Sequence, residues 1–128
     1  MAFRFDLVSP ERMLASMEAS AVTVPGIEGD VTAMPDHAPF LTNLRPGFVT
    51  VTAEGGAQEY FVSGGFAEIS PESVSVLAEE AAERAEVTRE MLDGLIEAAE
   101  QQAADAGEDT RIIAAMRVND LRFVAGQL

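Results

Sequence analysis

The only histidine of this 128-residue chain, His37, stands in the stretch MPDHAPFLTNLRPG, which also contains three of the six prolines. A serine–histidine–aspartate site would need an orienting carboxylate and a serine in a G-x-S-x-G turn. Asp36 is the sequence neighbour of His37, but adjacent residues of an extended segment point to opposite sides. No serine of the chain stands in that motif. The pattern therefore favours a surface contact by His37 over catalysis.

The chain also lacks the residues that a metal site or a phosphate-binding loop would need. With one histidine and no cysteine, the chain has too few ligands for a histidine-rich or thiolate metal site. The glycine-containing loops at residues 26–30 and 63–65 lack the G-K-[ST] ending of a phosphate loop, so we interpret them as turns. The sequence thus predicts no catalytic residue, no metal and no cofactor.

The charge balance limits the partners. There are 22 acidic and 8 basic residues, a formal net charge of −14, and every basic residue is arginine. Such a surface repels phosphate backbones and anionic lipid headgroups, so we expect no nucleic-acid partner and no direct membrane insertion. The amino-terminal MAFRFDLVSPERM lacks the apolar core of a signal peptide. Together with the absence of cysteine, this favours the cytoplasm.

The elements that must position any site show two different sequence patterns. Up to about residue 84 the sequence alternates apolar and polar residues, as in Phe3, Phe5 and Leu7, with turn residues about every ten positions. This pattern is typical of an antiparallel sandwich or barrel. The pair Gly55-Gly56 indicates a two-residue hairpin loop. We therefore predict a β-sandwich domain over residues 1–84.

Residues 85–128 instead have a helical period and predict an antiparallel two-helix hairpin. Thr88 is placed to cap the first helix, Gly107 to end it in the left-handed conformation and Asp109 to cap the second. The predicted apolar stripe of the first helix consists of Met91, Leu92, Leu95, Ile96, Ala99 and Ala103. The predicted stripe of the second consists of Ile112, Ile113, Met116, Leu121 and Val124.

Two long motifs carry a resemblance to a known family. Residues 27–47, IEGDVTAMPDHAPFLTNLRPG, and residues 61–81, FVSGGFAEISPESVSVLAEEA, are similar to the ε subunit of F-type ATP synthases, called δ in mitochondria. The family patterns there run E-G-x-x-x-x-x-P-G-H-A-P-x-x-T-x-[IL]-x-P-G and [FY]-x-S-G-G-[FIV]-x-E-[VI]-x-x-x-x-V-x-[VI]-L-A-[ED]. The resemblance covers essentially the whole chain, because the family also ends in a helical hairpin.

This resemblance implies a ten-stranded sandwich on the central stalk of the rotor, which contacts the γ subunit and the c-ring and helps couple proton-driven rotation to ATP synthesis. The protein itself would not be an enzyme. It would be a peripheral protein on the cytoplasmic side of a bacterial inner membrane. Carried onto matching positions, the implied interface residues are Glu28, Gly29, Asp30, Val31, Pro35, Asp36, His37, Ala38, Pro39, Phe40, Leu41 and Thr42.

The hairpin departs from the family pattern in two ways. Some members bind ATP through an [IL]-D-x-x-R-A motif, whereas this chain has VTREML at residues 87–92, so we expect no nucleotide site. The family's extended hairpin also restrains hydrolysis by contacting the α and β subunits through a cationic last helix. Here Arg111, Arg117 and Arg122 are the candidate contacts, and the three acidic residues beyond Gly107 balance their charge. We therefore expect weak or absent inhibition.

A third departure is Asp36, which replaces the glycine of the family motif. If this position requires a positive φ, aspartate occupies it at a cost. Two functions of other classes stay open on the residues alone, a free-standing ligand-binding β-sandwich and a small enzyme with an unrecognised site.

Overall fold

The computed structural model describes residues 2–128. The chain divides into two compact units, Met1–Arg84 and Ala85–Leu128. Ten strands form the first unit: β1 (Phe3–Val8), β2 (Met13–Ala19), β3 (Ala21–Gly26), β4 (Gly29–Ala33), β5 (Phe40–Leu44), β6 (Gly47–Ala53), β7 (Gly56–Val62), β8 (Gly65–Ile69), β9 (Ser73–Ala78) and β10 (Ala81–Glu83). The second unit contains two helices, α1 (Arg89–Asp105) and α2 (Arg111–Gly126), after a short 3-10 turn at Arg84–Glu86. The predicted fold class is confirmed.

The strands follow the order β10-β7-β6-β3-β5-β8-β9-β1-β2, and β4 pairs with β3. All neighbouring pairs are antiparallel except β1 with β9, which run parallel. The expectation of an antiparallel sandwich did not include this pair. It forms because most of the sandwich sequence lies between β1 and β9 and provides the long crossover that parallel neighbours need.

Alternation along the strands builds the core. Phe3, Phe5 and Leu7 of β1 are buried, while Arg4 between them is exposed, because successive side chains of a strand point to opposite faces. The inward residues of β3, β6, β7 and β9 complete one apolar cluster, which includes Val22, Val24, Val49, Val51, Tyr60, Val62, Val74 and Val76.

The hairpin loop between β6 and β7 is shifted by one residue from its predicted place. Ala53 pairs with Gly56, so the two loop residues are Glu54 and Gly55 rather than Gly55 and Gly56. Both glycines do have a positive φ, +98° and +134°. Gly56 is therefore the first residue of β7, and it still has the positive φ for which a glycine was expected in the loop.

The hairpin of helices is confirmed, but its connection differs from the prediction. The Thr88 hydroxyl accepts a hydrogen bond from the Met91 amide at 3.1 Å and caps α1. Gly107 is not among the residues with positive φ. Helix α1 ends at Asp105, and its cap residue Ala106 is extended. The cap residue of α2 is Thr110 rather than Asp109. The Gly107 carbonyl instead accepts from the Arg111 amide at 3.0 Å, which closes the connecting turn.

The predicted apolar stripe of α2 was wrong at three of its five residues. Leu121 and Val124 are buried, but Ile112 is 74% exposed and Ile113 63%. Met116 and Phe123 are exposed as well, and the buried positions are completed by Val118 and Ala125. The helix has apolar residues on two opposite faces, so its period alone does not decide which face is buried.

Candidate functional site

The predicted interface residues lie at the two ends of strand β4. Gly29, Asp30 and Val31 begin β4, where Gly26 pairs with Gly29 across a two-residue turn formed by Ile27 and Glu28. Gly29 has φ +140°. Ile27 and Glu28 are exposed at the tip of this turn, so the β3–β4 hairpin presents one apolar and one acidic side chain.

Arg45, which no sequence motif indicated as a site residue, fixes this turn. Its guanidinium donates to the Gly26 carbonyl oxygen and to the Asp30 carboxylate, while its backbone amide donates to the Pro25 carbonyl oxygen at 3.0 Å. The three contacts join the β5–β6 connection to the β3–β4 hairpin. We call this group, Gly26 to Asp30 with Arg45, the Arg45 end.

The opposite end of β4 is a proline turn. The His37 amide donates to the Met34 carbonyl oxygen at 3.1 Å, with Pro35 and Asp36 as the two central residues. Asp36 has φ +69° and is the one residue other than glycine with positive φ in residues 2–128. Proline followed by a residue of positive φ defines a type II turn. The position therefore requires what the family's glycine provides, and Asp36 adopts it under strain.

The turn is fixed to the rest of the sheet through its backbone. The Asp36 amide donates to the Pro71 carbonyl oxygen at 2.9 Å, which ties the turn to the β8–β9 connection. We call the segment Met34 to Phe40 the Asp36 end.

The His37 ring is occupied by a local contact. Its Nδ1 lies 2.6 Å from the carbonyl oxygen of Ala38, and since a carbonyl only accepts, Nδ1 carries the proton. The ring is half-buried. Within residues 2–128 no group of three or more potential ligands could hold a metal ion. The ring thus contacts the adjacent backbone, which is not the carboxylate contact that orients a catalytic histidine.

Apolar side chains stand around the Asp36 end. Met34 is 57% exposed, Phe40 44% and Leu41 63%. Pro39, Phe40 and Leu41 line an open groove of about 470 Å³ with Glu68, Ile69 and Ser70. Exposed apolar residues grouped in this way mark interaction surfaces.

The structure does not bring the two predicted groups together. Gly29 and Ala33 bound a five-residue strand, which places the two ends roughly 13 Å apart at about 3.3 Å per residue. Strand β5 spans the same distance, from Phe40, paired with Ile69, to Leu44, paired with Gly26. Thr42 lies between them and is half-buried. The candidate site is therefore an elongated edge, with one group of predicted residues at each end.

The three arginines predicted for the hairpin differ in their surroundings. The Arg122 guanidinium donates to the Glu100 carboxylate of α1 at 3.1 Å. Arg117 is half-buried, whereas Arg111 is exposed in the first turn of α2. Arg89 donates to the Ala125 carbonyl oxygen at 3.3 Å, so the start of α1 meets the end of α2 and the helices run antiparallel. At least Arg122 is therefore partly neutralised within the hairpin.

No helix within residues 2–128 has both the length and the apolar character needed to cross a membrane.

Comparison with known proteins gives consistent matches. A family model described as the ATP synthase delta/epsilon chain, beta-sandwich domain, matches residues 2–84. The ATP synthase epsilon chain of Ruegeria sp. (strain TM1040) is 58% identical over 106 residues, which cover 83% of this chain and 77% of that one. The epsilon chain of Rhodobacter capsulatus is 46% identical over 125 residues, 98% of this chain and 95% of that one.

A chain in the cryo-EM structure of the Euglena gracilis mitochondrial ATP synthase, OSCP/F1/c-ring, superposes with a TM-score of 0.71 at 24% identity, covering 94% of this chain and 78% of that chain. At this identity the likeness concerns the fold. It extends beyond the sandwich into the region of the two helices.

Proposed function

The chain belongs to the ATP synthase delta/epsilon family, and from this premise we propose that it is the epsilon chain of a bacterial F-type ATP synthase, a non-catalytic subunit of the central stalk. The observation that carries the proposal is sequence identity along nearly the whole chain, 46% over 125 residues, to a protein named ATP synthase epsilon chain. The subunit links γ to the c-ring and helps couple proton-driven rotation to ATP synthesis.

The elongated edge of the sandwich is the proposed contact with γ and the c-ring. Its Arg45 end presents Ile27 and Glu28 on a turn held by Arg45, and its Asp36 end presents Phe40 and Leu41 beside a groove. A coupling element must transmit torque without deforming, and backbone hydrogen bonds tie Asp36 to Pro71 in the β8–β9 connection and Arg45 to Pro25 in β3. The rigidity of these two points supports a mechanical role.

The complex lies at the cytoplasmic side of the bacterial inner membrane in this proposal, and the chain attaches to it peripherally. The relatives reported above from Ruegeria and Rhodobacter are bacterial, which supports this placement. The net charge of −14 disfavours contact with anionic lipid, so attachment occurs through protein partners.

The hairpin has a weak regulatory role in this proposal. Extension towards the α and β subunits would have to break the Arg122–Glu100 pair and the Arg89 contact with Ala125. Changing a two-state equilibrium from 1:99 to 99:1 requires about 5.5 kcal/mol of differential contact. The balanced charge beyond Gly107 provides little electrostatic contribution to that difference.

Co-purification tests the proposal against the two alternatives. A tagged full-length chain expressed in its own bacterium should be retained in stoichiometric amount by the detergent-solubilised ATP synthase, and membranes lacking it should lose ATP-driven proton pumping. A free-standing ligand-binding sandwich or a small enzyme would instead stay in the soluble fraction and leave pumping unchanged. That second result would contradict the assignment.

A further inference from the structure

The last strand of the sandwich is short and lies at an edge of the sheet. Strand β10 has three residues, Ala81–Glu83. It stands at one end of the strand order, and β7 is its one neighbour within residues 2–128. A strand of this length at an edge provides few backbone hydrogen bonds. Contacts at its two ends therefore decide whether it stays attached.

Ser63 fixes the start of β10. The Ser63 amide donates to the Glu80 carbonyl oxygen at 3.0 Å, and the Glu80 amide donates to the Ser63 hydroxyl at 3.1 Å. Ser63 is fully buried, so water does not compete readily for these bonds. The chain before β10 is therefore held independently of the contacts at the other end of the strand.

Arg84 holds the other end of β10. The central carbon of its guanidinium lies 4.5 Å from the centre of the Phe48 ring on β6. Its Nη1 donates to the Glu59 carboxylate on β7 at 2.9 Å. The Phe48 ring in turn packs edge to face against Phe61, with ring centres 6.2 Å apart. The Arg84 side chain thus crosses β7 and reaches the second strand from the edge.

The sheet register explains why one side chain makes both contacts. Glu83 pairs with Tyr60, so the next residue, Arg84, comes opposite Glu59. A planar guanidinium can stack on a ring and bind a carboxylate at the same time. The side chains of Arg84 and Glu59 are 36% and 39% exposed. Each contact is therefore modest alone, and salt weakens the ion pair.

The attachment of Arg84 determines how much chain connects the sandwich to the helices. Helix α1 begins at Arg89, so residues 85–88 form the connection while Arg84 is held. Fully extended, these residues span about 14 Å. If β10 separates as far as Ser63 allows, residues 81–88 form the connection and span up to about 28 Å. Release of Arg84 thus doubles the reach of the connection.

We propose that Arg84 is a clamp that ends the sandwich and limits the length of chain between it and the helices. Arg84 acts as a positioning residue, because its contacts with Phe48 and Glu59 keep β10 paired with β7. The inference rests on contacts within the sandwich and does not depend on the proposed function. High salt loosens the clamp without releasing it, because the contact with Phe48 remains.

Hydrogen exchange in the full-length chain tests the clamp. Arg84→Met keeps much of the aliphatic stem and removes both contacts, so amides of residues 81–83 should exchange about tenfold faster. Arg84→Lys keeps the charge without the planar group and should lie between Arg84→Met and wild type. Arg89→Met, the matched control, should not alter exchange at residues 81–83. Equal exchange in Arg84→Met and wild type, or an equal acceleration throughout the sandwich, overturns the proposal.

Proteolysis provides a test that leaves Arg84 in place. Glu59→Gln removes the ion pair, so trypsin should cleave after Arg84 about two- to fivefold faster at low salt. The difference from wild type should shrink at high salt, because screening weakens the pair in wild type. Glu54→Gln, the same charge change in the β6–β7 loop, should be cleaved at the wild-type rate. Equal rates for the two variants would overturn the role of Glu59 in the clamp.

Tyr60 reports whether β10 is attached. Burial raises the pKa of the Tyr60 phenol, and the Glu83 carboxylate on β10 raises it further. Because the chain has one tyrosine and no tryptophan, absorbance follows this group alone. Detachment of β10 in Arg84→Met should remove Glu83 and admit water, so the pKa of Tyr60 should fall towards its ordinary value. An unchanged pKa of Tyr60, with both proteins folded by circular dichroism, would contradict the detachment.

Discussion

The sandwich and the hairpin use apolar residues differently. In the sandwich nearly every inward position of β1, β6 and β9 is buried, and exposed apolar residues are few, such as Phe40 and Leu41 beside the Asp36 end. In α2 the buried face is matched by an exposed one that includes Ile112 and Phe123. The family model matches residues 2–84 and does not extend to the helices. The two units therefore differ in how completely their apolar residues are buried, and substitutions in each unit test whether they also differ in role.

Replacing one fully buried core residue by alanine in each unit should have the largest effects and should show whether the two units differ in role. Phe5→Ala removes a fully buried ring that lies 6.3 Å from Tyr60 and should lower the free energy of unfolding by about 3–5 kcal/mol. Urea unfolding followed through Tyr60, the only tyrosine, measures this loss. The variant should also fail to be retained by ATP synthase.

Leu121→Ala is the matched change in the hairpin, since Leu121 is also fully buried. It should cost about 2–5 kcal/mol yet leave retention in the complex unchanged. Loss of retention by Leu121→Ala would show that the hairpin, and not the sandwich alone, attaches the subunit.

Within the sandwich, Arg45 tests whether the elongated edge is rigid. Arg45→Met keeps much of the aliphatic stem and removes the donations to Gly26 and Asp30, so we expect a loss of about 1–2 kcal/mol. Hydrogen exchange at residues 27–30 should become faster. Arg12→Met, an exposed control, should not alter exchange there. Unchanged protection of residues 27–30 in Arg45→Met would contradict the proposal that Arg45 fixes this turn.

Asp36→Gly should act in the opposite direction. It relieves a positive φ of +69° and retains the amide that donates to Pro71, while glycine adds freedom to the unfolded chain. The net gain should be about 0.5 kcal/mol, a rise in Tm of about 2–4 °C. Glu54→Gly, at a turn position without positive φ, should lower Tm slightly. Marked destabilisation by Asp36→Gly would reveal a contact made by the Asp36 carboxylate.

His37→Ala should have the smallest effect on the isolated protein. Its ring contacts the neighbouring Ala38 carbonyl, so stability should change by less than about 1 kcal/mol. The measurable effect, if the Asp36 end contacts the rotor, is on assembly or on proton pumping. If His37→Ala abolished a chemical reaction while assembly and pumping stayed normal, His37 would be catalytic and the surface-contact interpretation would be wrong.

Patterns with a local physical cause could be predicted from the sequence. The alternation of Phe3, Phe5 and Leu7, the Thr88 cap and the positive φ at Gly55 each depend on neighbouring residues, and the structure confirms them. The number of ten strands was expected from the resemblance alone. Short strands such as β4 and β10 have too few residues to show a clear alternation of apolar and polar side chains.

Features that depend on distant partners could not be predicted. Arg45 contacts residues 15 and 19 positions away, and nothing in its sequence surroundings indicates this. The burial of Val118 rather than Ile112 depends on the orientation of α2, which its two apolar faces leave undetermined. The separation of the two predicted interface segments follows from sheet pairing that a motif does not encode.

The most direct test of the division of roles is ATP hydrolysis by the assembled complex with and without residues 88–128. With the sandwich intact and attached, we predict that the truncated subunit still supports assembly and ATP-driven proton pumping and that the hydrolysis rate stays nearly unchanged. A several-fold rise in hydrolysis would show strong inhibition by the hairpin, and loss of assembly would show that attachment requires it. Either result would contradict the proposed roles of the sandwich and the hairpin.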